Sequence, residues 1–330
     1  MERKRIVSGI RPTGDLHVGH YLGVLRNWVE LQEEYQCFYF AADWHALTTE
    51  YRDPSVITRS TRDMVMTWLS VGLDPERSVL FRQSDIKSHA ELFLLLSMIT
   101  PISWLERNPT YKEMKEELKE KDLSTLGFLG YPVLQAADIV MYHGDRVPIG
   151  EDQLPHLELT REIVRRFNFI YGENTLREPK EILTEAARVL GIDGRKMSKS
   201  YGNAIFIYET GESLKGKVMQ MLTDVKRVRR KDPGEPGDCN LYPLHEYFTD
   251  DGARGEIQAG CRSAGLGCVD CKKILLENLV KEFSPIWEKI DYYRAHASLV
   301  DDVLAQGGKR AAEESEVTME QVRKVMKLTG

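Results

Sequence analysis

No apolar run in this sequence is long enough to cross a bilayer, which takes ~20 residues. The longest, Leu92 to Leu105, is broken by Ser97, Thr100, Pro101 and Ser103. A secretory leader is missing too: Met1-Glu2-Arg3-Lys4-Arg5 carries charge with no apolar segment behind it. A cytoplasmic protein that leaves membranes alone is the expectation. There is no basic excess either, since 45 lysines and arginines face 51 acidic residues for a net charge of −6. A non-specific nucleic-acid binder usually carries such an excess, so any nucleic-acid contact must come from local patches. One candidate is Lys226-Arg227-Val228-Arg229-Arg230-Lys231, which a solvated helix end explains equally well. Internal repeats and long low-complexity segments are absent as well.

What is present is enough apolar material, 42% of 330 residues, for one large or two medium domains. The first half alternates strand-like and helix-like segments. Arg5 to Gly9 reads as a strand, and His17-Val18-Gly19-His20 opens a helix to about Glu34 with Leu22, Leu25, Trp28, Val29 and Leu31 on one face. Gln36 to Ala42 and Ser78 to Gln83 read as further strands. Asp53-Pro54 marks a helix start, as N-cap and first-turn proline, and Gly72 its end. Such alternation predicts a Rossmann-like α/β fold, a doubly wound parallel sheet. Beyond Glu209 strand signals fade, and Lys272 to Lys327 reads as two or three amphipathic helices. The expected division is a catalytic domain over 1–206 and an all-helical domain over 207–330.

Two short motifs carry chemistry. Gly14-Asp15-Leu16-His17-Val18-Gly19-His20 sits between a strand and a helix, where backbone N–H groups attract anions. His17 and His20 fall on one face of the first turn, each able to donate to a phosphate oxygen, and Gly19 allows close approach to the backbone. Alone, the tetrad is more readily two surface histidines. Lys196-Met197-Ser198-Lys199-Ser200 follows Gly191-Ile192-Asp193-Gly194 in a loop suited to closing on triphosphate charge.

Together the two motifs resemble the pair that defines class I aminoacyl-tRNA synthetases, with HVGH in place of HIGH and KMSKS unchanged. Three further stretches resemble the tryptophanyl-tRNA synthetases: Ser8 to Gly14, Tyr131 to Ile139, and Val147 to Gln153 followed by Glu158-Leu159-Thr160-Arg161. Tyrosyl enzymes share the architecture, but their glycine-rich segment does not look like Gly150-Glu151-Asp152-Gln153. The resemblance implies that Asp138 holds the indole nitrogen, with Gln153, His45 and Gly9 lining the tryptophan site. It implies that Arg11, Pro12, Thr13, Gly19 and His20 contact ATP, that Gly150, Glu151 and Asp152 hold the ribose side, and that Val189 lies against adenine. Lys196, Met197, Ser198, Lys199 and Ser200 would close on the phosphates, with His17, His20 and the two lysines as the catalytic groups. The family also uses a lysine after Arg107 on the phosphates, for which Lys112 and Lys115 are both candidates. Arg11 stands where other tryptophanyl enzymes have glutamine. ATP with Mg²⁺, L-tryptophan and tRNA(Trp) are the implied reactants, and a homodimer the implied assembly. A carboxylate suits the indole N–H, which only donates.

Of the five cysteines, Cys37 in Cys37-Phe38-Tyr39-Phe40 reads as a buried strand residue. The other four form Cys239-x21-Cys261-x6-Cys268-x2-Cys271, a cluster that in a reducing cytosol points to metal. With one CxxC knuckle in place of two, a [4Fe–4S] cluster suits the spacing at least as well as zinc, and zinc stays open. The pattern resembles that of a minority of bacterial tryptophanyl enzymes holding such a cluster in the anticodon-binding domain.

Overall fold

The computed structural model describes residues 3–109, 111, 123–172, 174–183 and 189–328. Five parallel strands form one sheet: β1 (Arg5–Ile10), β2 (Gln36–Ala41), β3 (Ser78–Arg82), β4 (Arg146–Ile149) and β5 (Lys180–Leu183), in the order β3-β2-β1-β4-β5. The expected doubly wound sheet is present. Its order reverses between β1 and β4, the switch point beside which ligands of such sheets bind, at the carboxyl ends of the strands.

β2 and β3 are buried because their residues are mostly apolar, aromatic or β-branched, whereas β5, Lys180-Glu181-Ile182-Leu183, has no buried residue. β2, Gln36-Cys37-Phe38-Tyr39-Phe40-Ala41, is buried from its second residue on, Cys37 included. The helices nearest the sheet include α3 (Asp43–Glu50), α4 (Ser55–Val71), α5 (Ser88–Ser97), α7 (Leu126–Met141) and α8 (Leu154–Tyr171), with α6 (Ile102–Glu106) between. Gly72 ends α4 at φ 122, where a Cβ would be strained. Asp53 is not the cap that the sequence suggests: Pro54 holds that position, and Asp53 Oδ1 accepts from the Ser55 amide at 3.1 Å. Before them lie α1 (Val18–His20), a five-residue π-helical stretch Tyr21–Leu25, and α2 (Arg26–Leu31). The single helix expected from His17 is therefore interrupted. Such wide turns often mark functional positions.

By contacts the chain forms two compact units. The first comprises 1–15, 27–186 and 296–330, and holds the sheet. Its core joins Phe38, Phe40, Val79 and Phe81 to Leu92, Val133, Val140, Ile163 and Phe167. The long helix α13 (Ala297–Val325) lies on β3, burying Ala311, Met319 and Val322 in the same core. It approaches so closely that a Cβ on Gly307 would stand 1.8 Å from the Leu80 carbonyl oxygen.

The second unit comprises 16–26 and 187–295. Besides α1 it contains α9 (Gly211–Gln220), α10 (Tyr242–Phe248), α11 (Asp251–Arg262) and α12 (Cys268–Ala295), the helical region expected after Glu209. Backbone bonds from Val18 N to Ile205 O (2.9 Å) and from Ile207 N to Leu16 O (3.0 Å) tie the HVGH turn into this unit. Tyr21 packs edge-on against Phe283 at 5.1 Å, and its hydroxyl donates to Glu282. No helix among the described residues is long and apolar enough to cross a membrane.

Candidate active site

In the second unit the two signature motifs lie close enough for the Lys199 charge to act on both histidines of the first. His17 is the N-cap of α1, and its Nδ1 accepts from the Gly19 amide at 3.1 Å. His20 Nδ1 accepts in turn from the His17 amide at 3.2 Å, a reciprocal capping box made by two imidazoles. With Nδ1 accepting, each neutral ring carries its proton on Nε2, which is then the nitrogen able to donate. Burial and the neighbouring Lys199 charge lower the His17 pKa to about 4. Burial, His17 and Lys199 hold His20 well below the usual histidine range. The pair is therefore neutral near pH 7 and offers N–H donors, not positive charge. Gly19 is needed locally as well: a Cβ there would come within 2.9 Å of the His17 ring and 3.8 Å of Val189.

The lysine loop is a tight hairpin. Leu190 pairs with Lys196, Gly191 N donates to Arg195 O (2.7 Å), and Met197 N donates to Val189 O (2.9 Å). Gly194 turns the chain at φ 80. Asn203, 1% exposed, grips the loop: its Oδ1 accepts from Ser198 N (2.8 Å), and its Nδ2 donates to Asp193 (2.7 Å) and to Lys196 O (3.2 Å). Met197 and Val189 are buried beneath, while Lys196 and Ser200 are exposed and Ser198 and Lys199 half-buried.

In the sheet unit, Gly9 lies near the end of β1 with Arg11, Pro12 and Thr13 following it, and Gly150, Glu151, Asp152 and Gln153 follow β4, at the carboxyl ends of two adjacent strands. Gly9, Arg11, Glu151 and Asp152 are exposed, and Pro12 is buried. A Cβ on Gly9 would strike the Phe40 ring at 2.5 Å. Lys112 and Lys115 lie outside the described residues.

Asp138, on α7 and 2% exposed, is the centre of a buried polar cluster. Its Oδ2 meets His45 Nε2 at 2.8 Å, and its Oδ1 meets His89 Nδ1 at 2.6 Å. Gln83 Nε2 donates to both oxygens, at 2.8 and 2.9 Å. The far side of the His89 ring, Nε2, meets the Tyr142 hydroxyl at 2.7 Å. Burial pushes the Asp138 carboxyl up, but the bonds and charges of His45 and His89 outweigh it and leave it below the usual carboxylate range. Sequence reasoning found Asp138 and His45 and missed Gln83, His89 and Tyr142. Nothing in the sequence signals Gln83 or His89, because Arg82-Gln83-Ser84-Asp85-Ile86-Lys87-Ser88-His89 is a polar run in which neither stands out. Nearby, His156 Nε2 meets the Tyr131 hydroxyl at 3.0 Å, and Nδ1 meets the Asn108 amide at 3.0 Å.

The four clustered cysteines lie after the turn Pro236–Asp238, in α11, and at the start of α12. Burial and the other thiols raise Cys271 to about 12, and Cys239 and Cys261 also rise, so the four feel one another. His245 Nε2 stands 3.3 Å from Cys271 Sγ. Among the described residues, however, no three His, Cys, Asp or Glu side chains form a metal-ligating group. The basic run is partly neutralised, by Lys226–Asp238 at 2.6 Å and Arg230–Asp270 at 3.9 Å.

The family described as tRNA synthetases class I (W and Y) matches residues 1–284. The chain belongs to this family. A tryptophan–tRNA ligase of Thermotoga maritima is 53% identical over 326 residues, covering 98% of this chain and 99% of that one. The tryptophanyl-tRNA synthetase of Campylobacter jejuni, solved with ADP and tryptophan, superposes with a TM-score of 0.88 at 33% identity, covering 98% and 99%. The tyrosyl-tRNA synthetase of Aeropyrum pernix shares the fold, with a TM-score of 0.68 at 20% identity over 96% and 90%. This synthetase is thus an aminoacyl-tRNA ligase, and its curated relatives are tryptophan–tRNA ligases.

Proposed function

We infer that the enzyme activates L-tryptophan with ATP and transfers it to tRNA(Trp). The observation that carries the choice of amino acid is the buried, ionised Asp138 carboxylate. An indole N–H, which only donates, suits that acceptor, and a side chain without a ring donor leaves it short of a partner. A phenol also donates, so the preference over tyrosine is supported by the relatives, tryptophan–tRNA ligases at 53% and 45% identity. In the first step a tryptophan carboxylate oxygen attacks the α-phosphorus of ATP, and the bond to pyrophosphate breaks. In the second, the terminal ribose hydroxyl of the tRNA attacks the carbonyl, and AMP leaves. No protein nucleophile is required, so positioning and charge stabilisation suffice.

The residue roles follow the chemistry of each group. Lys196 and Lys199 stabilise charge on the departing pyrophosphate, aided by the Ser198 and Ser200 hydroxyls. His17 and His20 donate neutral Nε2–H bonds to phosphate oxygens, and Gly19 leaves room beside them. Val189 lies against adenine, and Met197 belongs to the loop that closes on the phosphates. Arg11, Pro12 and Thr13 contact ATP, while Gly150, Glu151 and Asp152 hold its ribose. Gln153, His45 and Gly9 line the tryptophan site. Mg²⁺, when bound with ATP, would neutralise part of the phosphate charge. Functionally, 1–206 serves catalysis and 207–330 anticodon recognition, in a cytoplasmic homodimer. Charging of tRNA(Trp) with labelled tryptophan tests the assignment. Charging with tyrosine instead would overturn it.

The four cysteines hold a [4Fe–4S] cluster on this reading. The spacing Cys239-x21-Cys261-x6-Cys268-x2-Cys271 supports it, whereas the side chains as they stand form no ligating group. Zinc is the competing occupant. Iron and sulfide content of the purified protein decides, and Cys268→Ser should abolish whichever is found.

A further inference from the structure

A buried carboxylate must have its lone pairs met, or its desolvation goes uncompensated. Asp138 meets that demand fully. Oδ1 is contacted by Gln83 and His89, and Oδ2 by Gln83 and His45, about as many contacts as a carboxylate has acceptor sites. The three partners are not equivalent. Gln83 and His89 are both 0% exposed, while the His45 side chain keeps 10% of its surface. An arriving ring N–H can replace only the partner that can be reached, which is His45. The other two must hold the anion still during the exchange.

His89 is built for that task. An ionised carboxylate only accepts, so His89 Nδ1 carries the proton, and Nε2 is left to accept from the Tyr142 hydroxyl at 2.7 Å. The ring is thereby fixed at both ends. Phe40 and Phe81 stand 6.1 and 6.2 Å from it by centroid, closing the walls with apolar surface. Packing alone would be served by leucine in that cage. An imidazole there is explained by the carboxylate that it orients.

We propose that His89, together with Gln83, is a positioning residue that sets amino-acid specificity by fixing the Asp138 carboxylate for the ring N–H of the substrate. This rests on Asp138 taking the indole N–H. Neither His89 nor Gln83 touches substrate; each acts through Asp138.

The test compares L-tryptophan with 3-(benzothiophen-3-yl)alanine, in which sulfur replaces the ring N–H, by amino-acid-dependent ATP–pyrophosphate exchange. The readout is the ratio of kcat/KM for the two. The intact enzyme should strongly prefer tryptophan. Absence of that preference would remove the Asp138 reading itself. Given the preference, His89→Leu should reduce the ratio by about tenfold or more, the order expected for losing one hydrogen bond to a charge. His89→Asn, whose amide nitrogen falls near the Nδ1 position, should keep the ratio within about threefold of wild type by the same reasoning. Gln83→Met removes the other buried donor and should also lower the ratio, which keeps the test alive if His89→Leu fails to fold. The KM for ATP should be unchanged in all three. A ratio that stays at the wild-type value in folded His89→Leu or Gln83→Met would overturn the proposal, as would equal loss in His89→Asn and His89→Leu.

Discussion

Adjacent glycines in the middle of α13 should respond to alanine in opposite directions. A Cβ on Gly307 would lie 1.8 Å from Leu80 O, 2.6 Å from its carbon and 3.1 Å from its nitrogen. Carbon meets carbonyl oxygen comfortably at about 3.3 Å, so the helix would have to retreat from β3 by roughly 1.5 Å. That retreat loosens Ala311, Met319 and Val322 in the core, and it stretches the bonds from Arg310 to Pro75 O (2.7 Å) and Ser78 O (3.3 Å). Overpacking costs about 1–3 kcal/mol and each lost hydrogen bond about 1. Alanine recovers about 1 kcal/mol of helix propensity. The balance for Gly307→Ala is a net destabilisation of about 2–4 kcal/mol. Gly308 faces Asp85 at 3.9 Å, an ordinary contact, so Gly308→Ala should be neutral or stabilising by up to about 1 kcal/mol. Urea unfolding of the two variants, read against the parent, measures both. Gly307→Ala at least as stable as the parent would refute the packing argument.

Asn203→Ala removes the grip on Ser198, Asp193 and Lys196. Its kcat/KM for ATP should fall by about tenfold or more, with the thermal midpoint lowered only a few degrees. Asp138→Asn deletes the anion and should cut tryptophan activation by at least about a hundredfold in kcat/KM, leaving the KM for ATP near wild type. His17, His156 and His245 all have folded pKa values lowered to about 4 by burial, against 6.5 when unfolded. Between those values the unfolded chain binds more protons, so stability rises with pH across this window and is lost as pH falls from 6.5 towards 4. Thermal midpoints measured from pH 7 to pH 4 should drop accordingly. For the same reason kcat/KM for ATP should show no acid limb centred near 6.5, and a limb there would contradict the neutral histidine pair.

The sequence made some of this legible and hid the rest for physical reasons. β1 to β3 are announced by runs such as Cys37-Phe38-Tyr39-Phe40, whose residues favour a buried pleated surface. β4 and β5 escape because each has four residues, one containing Pro148 and the other carrying Lys180 and Glu181. The HVGH spacing correctly placed two histidines on one turn. It could not reveal that both rings fold back on the backbone, nor that Gly19 makes room first for His17. Asp138 stood out only through resemblance, because its partners Gln83 and His89 lie 55 and 49 residues away. Periodicity encodes which face of an element is buried; it does not encode which distant polar groups will meet there.

The most direct measurement is ATP–pyrophosphate exchange by the purified protein, with tryptophan in one tube and tyrosine in the other. Exchange with tryptophan alone is the expected result. Exchange with tyrosine, or none with either amino acid from folded protein, would contradict the account.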